Sequence, residues 1–491
     1  MPKLRTPGVY ITEIDAFPNR VEPVETAIPA FIGYTEKADI RGKSVLHRPI
    51  RIRSFVEFEE IYGALPVAKF SWTNANDPDA LVITLAAKDY YLKQTSSAYM
   101  LYKSIKLFYQ NGGSNCYIVA VGDYNEDIKR DALLTGIESI AREPEPSMLV
   151  IPDSTSLNQS ECADVQNAMI EHCGDSLKNR VAILDVYELD AVNNSAQLFR
   201  QTIGNVNGVG YAAAYMPYLN SVVVSNSDVS LTNFSEDSRK QLSDILISSN
   251  EPANAELKGI IASIAEPHRS KYKDPDIHRV LNASSSAYRY ILSALQEVMN
   301  IVPPSGAVTG AVVQTDTNRG VWKAPANVSL IGVVSPTLAI SDQQQQTLNV
   351  DVNGKSINAI RAFIGEGTLI WGARTLDGNN NETRYINVRR TLIMIEQSIM
   401  LAIKAYVFEP NDANTWSAIR TMVKNFLNEL WRQGALAGST PDQAFAVQLG
   451  INETMTQQDI IDGTLRLSVL IAIARPAEFI QISITQQMQT A

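Results

Sequence analysis

The sequence predicts a multi-domain protein in which an α/β domain is followed by a mixed α+β domain, with a β-strand at each end of the chain. Apolar runs alternate with helical patterns through the middle of the chain. The last third combines two strands with two long helical patterns, and both termini carry alternating apolar residues. A length of 491 residues is too great for one typical core and indicates two or three domains.

The N-terminal segment 1–29 is predicted to be a strand arm on a proline-rich linker. Residues 7–14 are rich in β-branched and aromatic side chains. The centre of this strand is Val9, Tyr10, Ile11 and Thr12. Residues 15–29 contain three prolines, which remove hydrogen-bond donors and favour an extended chain of up to roughly 50 Å. The strand can therefore lie far from the domain that follows.

Residues 30–340 are predicted to form the α/β domain. Segments 54–62 and 80–110 mix helical patterns with loops. Strands are predicted at 31–34, 117–121, 148–151, 181–186 and 211–215, with helices at 131–142 and 161–173. Strand–helix alternation of this kind is typical of a mainly parallel sheet.

Residues 341–475 are predicted to form the α+β domain. Its polar start, 341–346, resembles a turn. Strands are predicted at 357–364 and 368–371, a helical pattern covers 385–408, and an amphipathic helix covers 415–431. The last segment, 476–491, is predicted to be a second strand arm because apolar and polar residues alternate strictly over Ile480, Gln481, Ile482, Ser483 and Ile484.

Composition narrows the class of protein. A net charge of −10 argues against a general nucleic-acid binder, which usually carries a basic patch. Three cysteines are too few for a disulfide framework, and Cys162 and Cys173 are predicted to be buried hydrophobes. The start has no apolar stretch typical of a secretory signal, and charged residues interrupt the apolar segment 392–408. Synthesis in the cytoplasm without membrane insertion is expected.

No catalytic, cofactor-binding or metal site is predicted. Residues 353–356 end like a phosphate-binding loop, but Asn349 stands where that motif needs a glycine, so a solvated turn is expected. His268 and His278 lie near acidic residues at a spacing that matches no metal-ligand pattern. No Gly-x-Ser-x-Gly elbow occurs. The protein is therefore expected not to be an enzyme.

A series of short motifs follows in order along the last third of the chain. They are GVWKAPAN (320–327), IR with WGARTL (360–361 and 371–376), YINVRR (385–390), FEPN (408–411), GALAG (434–438) and PAEFI (476–480). PGVY at 7–10 adds a match near the start. These motifs resemble those of the tail sheath family of contractile phages and related injection particles. Six ordered matches within about 170 residues are specific.

The resemblance implies a structural subunit that polymerises helically around an inner tube and contracts to drive the tube through a target envelope. The α/β domain would then lie outside, with a variable insertion near 115–300, and the 341–475 domain would face the tube. The implied partners are further copies in hexameric rings, the tube protein, the baseplate and a terminal cap. The implied location is the cytoplasm and then a phage tail or tail-like particle, with release from the cell left open.

Two groups of site residues follow. A lone end strand has unpaired edges, and adding it to a neighbour's sheet satisfies them and propagates an open helix. The predicted subunit-linking residues are Val9, Tyr10, Ile11, Thr12, Ile480, Gln481, Ile482, Ser483 and Ile484. The predicted tube-facing residues, on the polar side of the 415–431 helix, are Arg420, Lys424 and Arg432. Trp322, Trp371, Arg374, Arg389 and Arg390 are expected to stabilise the fold.

Alternatives remain open at this point. An α/β enzyme or ligand-binding protein would place its site within 117–330, at the strand ends of the sheet. A non-contractile shell protein would use the same strand exchange. A fold-back of the arm within its own subunit is the alternative to strand exchange, although the linker is longer than an internal hairpin needs.

Overall fold

The computed structural model describes residues 20–77, 80–204, 206–249, 255–265, 272–351, 354–479 and 481. The chain forms two compact units. The larger unit is Thr26–Arg390, and the smaller unit combines the described residues before Thr26 with those after Arg390. The predicted boundary at 340/341 therefore differs from the observed one.

The larger unit contains seventeen described strands, eleven complete α-helices and the start of a twelfth. The strands are β1 (Pro29–Thr35), β2 (Asp39–Ile40), β3 (Lys43–Ser44), β4 (Ile50–Ile52), β5 (Phe70–Thr73), β6 (Leu81–Leu85), β7 (Lys88–Gln94), β8 (Cys116–Asp123), β9 (Met148–Val150), β10 (Val181–Asp185), β11 (Ala212–Met216), β12 (Leu219–Ser221), β13 (Ile301–Val302), β14 (Val328–Ser329), β15 (Val333–Pro336), β16 (Ile357–Phe363) and β17 (Gly367–Trp371). The helices are α1 (Phe55–Tyr62), α2 (Leu101–Gln110), α3 (Arg130–Ile140), α4 (Gln159–Glu171), α5 (Val192–Thr202), α6 (Glu236–Ser248), α7 (Ala255–Ile264), α8 (Asp274–Ser284), α9 (Ser286–Met299), α10 (Ser305–Arg319), α11 (Asp342–Asn349) and α12 (Ile386–Ile403).

A nine-stranded sheet organises this unit. Its order is β14-β17-β16-β11-β10-β9-β1-β8-β4. Every pairing from β16 to β8 is parallel, whereas the strands outside them pair antiparallel. The predicted mainly parallel sheet is confirmed, and all five strands predicted for it belong to it. The parallel strands are buried on both faces, as their continuous apolar runs indicate.

Strands β16 and β17 explain why the predicted domain boundary differs from the observed one. Both were predicted as strands, but of a separate α+β domain. Ile357 instead pairs with Ala214 of β11, so the two strands extend the large sheet. A pairing between residues so far apart leaves no local pattern in the sequence. The predicted turn at 341–346 is also wrong, because Ser341 and Gln344 form a capping box that starts α11.

The side chains packed around the nine-stranded sheet form one hydrophobic core of the larger unit, and a second, separate core lies in the same unit. The sheet β5-β7-β6 packs with helices α6–α9, and the buried side chains include Phe70, Ile83, Leu92, Tyr288 and Ile291. Residues 81–94 form two strands where helical patterns with loops were predicted. The apolar face of this small sheet is covered by helices from more than 140 residues later in the chain. The stretch 115–300 is therefore not one insertion, since it supplies both cores.

The smaller unit contains α13 (Ala413–Arg432), α14 (Pro441–Ala444), β18 (Phe445–Gln448), α15 (Gln457–Ile461) and β19 (Ser468–Ile471), together with α12 after Arg390. The predicted helix 415–431 is confirmed as α13. Asp412 caps it by accepting hydrogen bonds from the N–H groups of Asn414 and Thr415. Strands β18 and β19 pair antiparallel and were not predicted.

Candidate assembly surfaces

Most of the predicted arm residues lie outside the described residues. This holds for Val9, Tyr10, Ile11, Thr12, Ile480, Ile482, Ser483 and Ile484. Gln481 is described, and it is exposed and has no regular secondary structure. Strand addition by the arms therefore stays a prediction.

The described end of the N-terminal linker has few backbone ladder bonds, as its prolines predict. Residues 21–28 have no regular secondary structure. In the smaller unit, the N–H of Val24 donates to the Ser398 hydroxyl at 3.0 Å. In the larger unit, Ser147 exchanges hydrogen bonds with the backbone of Ile28 just before β1 begins. Side chains therefore hold much of this segment in place.

The two-stranded sheet of the smaller unit has open edges. Among the described residues, β18 and β19 pair only with each other. The N–H of Ala472 donates to the Ala444 carbonyl on the β18 side at 2.8 Å. Because backbone polar groups alternate along a strand, the N–H and carbonyl groups of Val469 and Ile471 face the other edge. Among the described residues no strand pairs with this edge, and such an edge is a template for an added strand.

The three predicted tube-facing residues have different surroundings. Arg420 is half-buried, donates to the Leu449 carbonyl and forms an ion pair with Glu453 at 2.5 Å. Lys424 and Arg432 are exposed and form no ion pair with another described residue. They lie eight residues apart on α13, about 12 Å along the helix. A free basic surface therefore consists of Lys424 and Arg432, because Arg420 is neutralised within its own subunit.

The motifs of the last third bond to one another. The side-chain amide of Asn387 donates to the Trp322 carbonyl at 2.9 Å, which joins YINVRR to GVWKAPAN. The Asn358 amide donates to the Arg374 carbonyl and accepts from the Arg374 N–H. The guanidinium of Arg389 lies over the Tyr211 ring, 4.1 Å from its centroid. The expected structural role fits these contacts, although Trp371 is partly exposed.

The candidate ligand motifs have structural roles. Lys355 is partly buried, and its ammonium group donates to the carbonyls of Arg200 and Ile203 at the end of α5. Burial lowers the pKa of Lys355. The predicted solvated turn is thus wrong for this side chain, which satisfies helix carbonyls. His278 bonds to the Tyr288 hydroxyl at 3.0 Å, and His268 lies outside the described residues. No cluster of described residues has the composition of a metal site.

Two buried aspartates lie at the carboxyl ends of neighbouring strands of the large sheet, where an α/β enzyme would place its ligand: Asp153 follows β9, and Asp185 is the last residue of β10. Asp153 accepts hydrogen bonds from the N–H groups of Tyr34 (2.7 Å), Met100 (2.6 Å) and Leu101 (3.0 Å). Asp185 accepts one from the N–H of Ser305 at 2.7 Å. Asp153 thus caps α2, whose own N-cap residue supplies no side-chain bond, and Asp185 caps α10. Both carboxylates serve the fold.

Burial of Asp185 predicts a pH-dependent contribution to stability. It raises the pKa of the carboxyl group from 3.8 to about 7, against the opposing bonds from Ser305. Because the folded-state pKa is the higher one, the stabilising contribution is complete below pH 4 and is lost as pH rises towards 7. Asp185→Asn keeps the acceptor oxygen and removes the titration. The wild type should lose about 2–4 kcal/mol more than the variant between pH 4 and 7.

Chemical denaturation of both proteins across this pH range measures the difference. Asp153 titrates in the same window but is present in both proteins, so its contribution cancels. Parallel stability curves for the two proteins would contradict the prediction.

None of the described helices is long and apolar enough to cross a bilayer.

Comparison with known proteins agrees with the motifs. Residues 379–487 match the phage tail sheath C-terminal domain family. The tail sheath protein of Burkholderia phage BcepMu is 28% identical over 141 residues, which is 28% of this chain and 29% of that protein. The tail sheath protein of Enterobacteria phage T4 is 25% identical over 140 residues, covering 28% of this chain and 21% of that protein. The chain thus matches less than a third of the length of these curated relatives.

Similarity to solved structures covers nearly the whole chain. The helical sheath of the anti-feeding prophage in its contracted state is 26% identical with a TM-score of 0.63, covering 99% of this chain and 100% of that one. The sheath complex of the extracellular contractile injection system PVC in its contracted state is 26% identical with a TM-score of 0.61, covering 99% of each chain. Residues 379–487 thus match a tail sheath C-terminal domain, and the fold of the whole chain is similar to that of solved contractile sheaths.

Proposed function

We propose that the protein is a structural subunit of a contractile sheath, which polymerises helically around an inner tube and shortens to drive that tube through a target envelope. The observation that carries the proposal is the similarity over 99% of the chain to a helical sheath in its contracted state. Such a subunit needs no catalytic group, because contraction releases energy stored during assembly. The structural roles of Asp153, Asp185 and Lys355 agree with this.

Electron microscopy of the assembled protein tests this function. Long helical polymers should occur in two states of different length and diameter, with the shorter state following a trigger such as mild denaturant. A single length under all conditions would instead indicate a non-contractile shell. A specific small ligand bound at the strand ends within 117–330 would favour the α/β enzyme or binding protein.

We infer that subunits are linked by strand addition to the smaller unit. The sheet β18–β19 offers an unpaired edge on each side among the described residues, and the chain has two arms with alternating apolar patterns. One arm on each edge would convert a two-stranded sheet, which is marginally stable alone, into a four-stranded sheet. Because each subunit both donates and accepts strands, the contact is heterologous and extends into a helix.

The proposed partners are further copies of the chain in stacked hexameric rings, the tube protein, the baseplate and a terminal cap. The subunit is made in the cytoplasm and acts as part of a phage tail or tail-like particle. A tail-like particle is proposed because the fold is similar over 99% of the chain to the sheath of an extracellular contractile injection system. No nucleic acid and no membrane insertion are part of this function.

The basic surface of α13 predicts how the sheath holds its tube. Lys424→Glu combined with Arg432→Glu should loosen the tube, because both residues are exposed and free to meet acidic groups. Each exposed pair contributes only about 0–1 kcal/mol, but every subunit of the polymer repeats it. Co-sedimentation of tube with extended sheath at increasing salt measures the effect, and the double variant should release its tube at lower salt.

Lys240→Glu provides the matched control, since it reverses an exposed charge on α6 of the other unit. Arg420 is left unchanged because its replacement would also break the ion pair with Glu453. Equal tube retention by wild type, control and double variant would exclude α13 from the tube contact.

A further inference from the structure

The polypeptide leaves the larger unit at its first and last residues, Thr26 and Arg390, which form two chain crossings. The side chain of Arg390 holds the two crossings together. The Arg390 guanidinium donates to the Thr26 carbonyl at 3.0 Å. It also forms a two-pronged ion pair with Asp316, with contacts of 2.8 and 2.5 Å. The Thr26 hydroxyl donates to the same carboxylate at 2.7 Å. Both chain crossings therefore bond to Asp316 and, through Arg390, to each other.

Burial distinguishes this cluster from the surface ion pairs. The side chains of Arg390 and Asp316 are each 3% exposed. The Arg239–Asp274 pair, which is similarly two-pronged, leaves its partners 10% and 31% exposed. A buried pair costs so much desolvation that apolar residues of similar size often stabilise a protein as well. Its presence at the chain crossings is therefore better explained by what it connects than by overall stability.

The cluster connects the crossings to the interior of the larger unit. Asp316 lies in α10, a helix whose first three turns are almost completely buried and which closely contacts α2 at Gly306 and Gly310. Thr26 lies three residues before β1, which pairs with β8 and β9 in the middle of the large sheet. Arg390 is the fifth residue of α12. Without the cluster, only the Ser147 bonds to Thr26 and Ile28 would stand between tension on Thr26 and the hydrogen bonds of β1.

We propose that Thr26, Asp316 and Arg390 form a load-bearing clamp, which passes tension on the chain crossings into α10 and so protects β1 from being pulled out of the sheet. The proposal rests on the proposed function, since a contracting sheath whose subunits are joined by their arms puts this part of the chain under tension. All three residues belong to the larger unit, so the clamp is complete within it.

Constant-force pulling of the single full-length chain tests the clamp. Attachment cysteines at Glu22→Cys and Lys129→Cys load the crossing at Thr26, and both positions are exposed whereas the three native cysteines are buried. Asp316→Asn should shorten the lifetime before the first extension by about a hundredfold, because it leaves the buried Arg390 without its ionic partner. A second attachment pair, Lys129→Cys with Lys240→Cys, lies within the larger unit and does not load the crossing.

Two further variants separate load-bearing from ordinary stabilisation. The double variant Asp316→Leu with Arg390→Met is expected to keep the unfolding temperature of the wild type but to lose the resistance along the crossing axis. Arg239→Lys weakens the other two-pronged pair and should leave the lifetime on that axis unchanged. An unchanged lifetime for the double variant on the crossing axis, or equal shortening on both axes, would overturn the clamp. Because single chains are pulled, the outcome is independent of whether the protein builds sheaths.

Discussion

A chain without residues 1–14 is expected to stay soluble and folded but to build no long helical sheaths. The deleted segment is predicted to pair with a neighbouring subunit, and the cores formed by the described residues begin at Val21. Under the proposed strand addition, loss of the arm leaves one edge of the β18–β19 sheet in each neighbour unpaired. Assembly should therefore stop at small oligomers. Circular dichroism and thermal melting report on the fold, and negative-stain microscopy reports on the polymer.

Changes at the other arm and at the proposed acceptor should have the same effect. Ile482→Pro removes a ladder donor from the centre of the C-terminal arm. Val469→Pro removes an N–H from the open edge of β19 and spares the bonds to β18. Leu470→Thr is its matched control, because it changes an exposed side chain of the same strand and keeps every backbone donor. Normal sheaths from the truncated chain would show that the arms do not link subunits, and unfolding of that chain would favour the fold-back within one subunit.

Replacement of Asp153 is expected to destabilise the larger unit strongly. Asp153→Ala leaves three N–H groups, those of Tyr34, Met100 and Leu101, without their acceptor in a fully buried site. Each buried unsatisfied donor costs about 1–3 kcal/mol, so a loss of about 3 kcal/mol or more is expected. The change also removes the cap of α2 and opens space beside Gly33, whose Cα lies against the carboxylate.

Denaturant unfolding of the full-length protein, followed through the transition of the larger unit, measures this loss of unfolding free energy. Asp164→Ala is the control, because its carboxylate is about half exposed and pairs with Arg130 at the surface, where about 0–1 kcal/mol is expected. Asp153→Asn should fall between the two, since its amide keeps one acceptor oxygen and turns a donor towards the remaining N–H groups. Equal stability of Asp153→Ala and Asp164→Ala would show that water or rearrangement replaces the cap.

The family and many local elements follow from short stretches of sequence. Helix α13 is encoded by an N-cap aspartate, apolar residues at helical spacing and a glycine after its end, all within about twenty-five residues. The central strands are continuous apolar runs bounded by polar segments. The ordered motifs of the last third predict the resemblance to tail sheaths, and the matched C-terminal domain at 379–487 agrees with it. The capping box before α11 is an equally local pattern, which the prediction of a turn at 341–346 missed.

Tertiary structure alone decided which distant segments meet. Local sequence patterns predict β16 and β17 as strands, but the pairing of Ile357 with Ala214 assigns them to the large sheet. The helical pattern also predicts that Arg420 lies on the polar side of a helix. Only the structure shows that Arg420 forms an ion pair with Glu453, thirty-three residues later. No pattern in the sequence indicates that Thr26, Asp316 and Arg390 lie in contact. The physical reason is range: helix caps and apolar periodicity act over a few turns, whereas strand partners and buried ion pairs depend on the path of the whole chain.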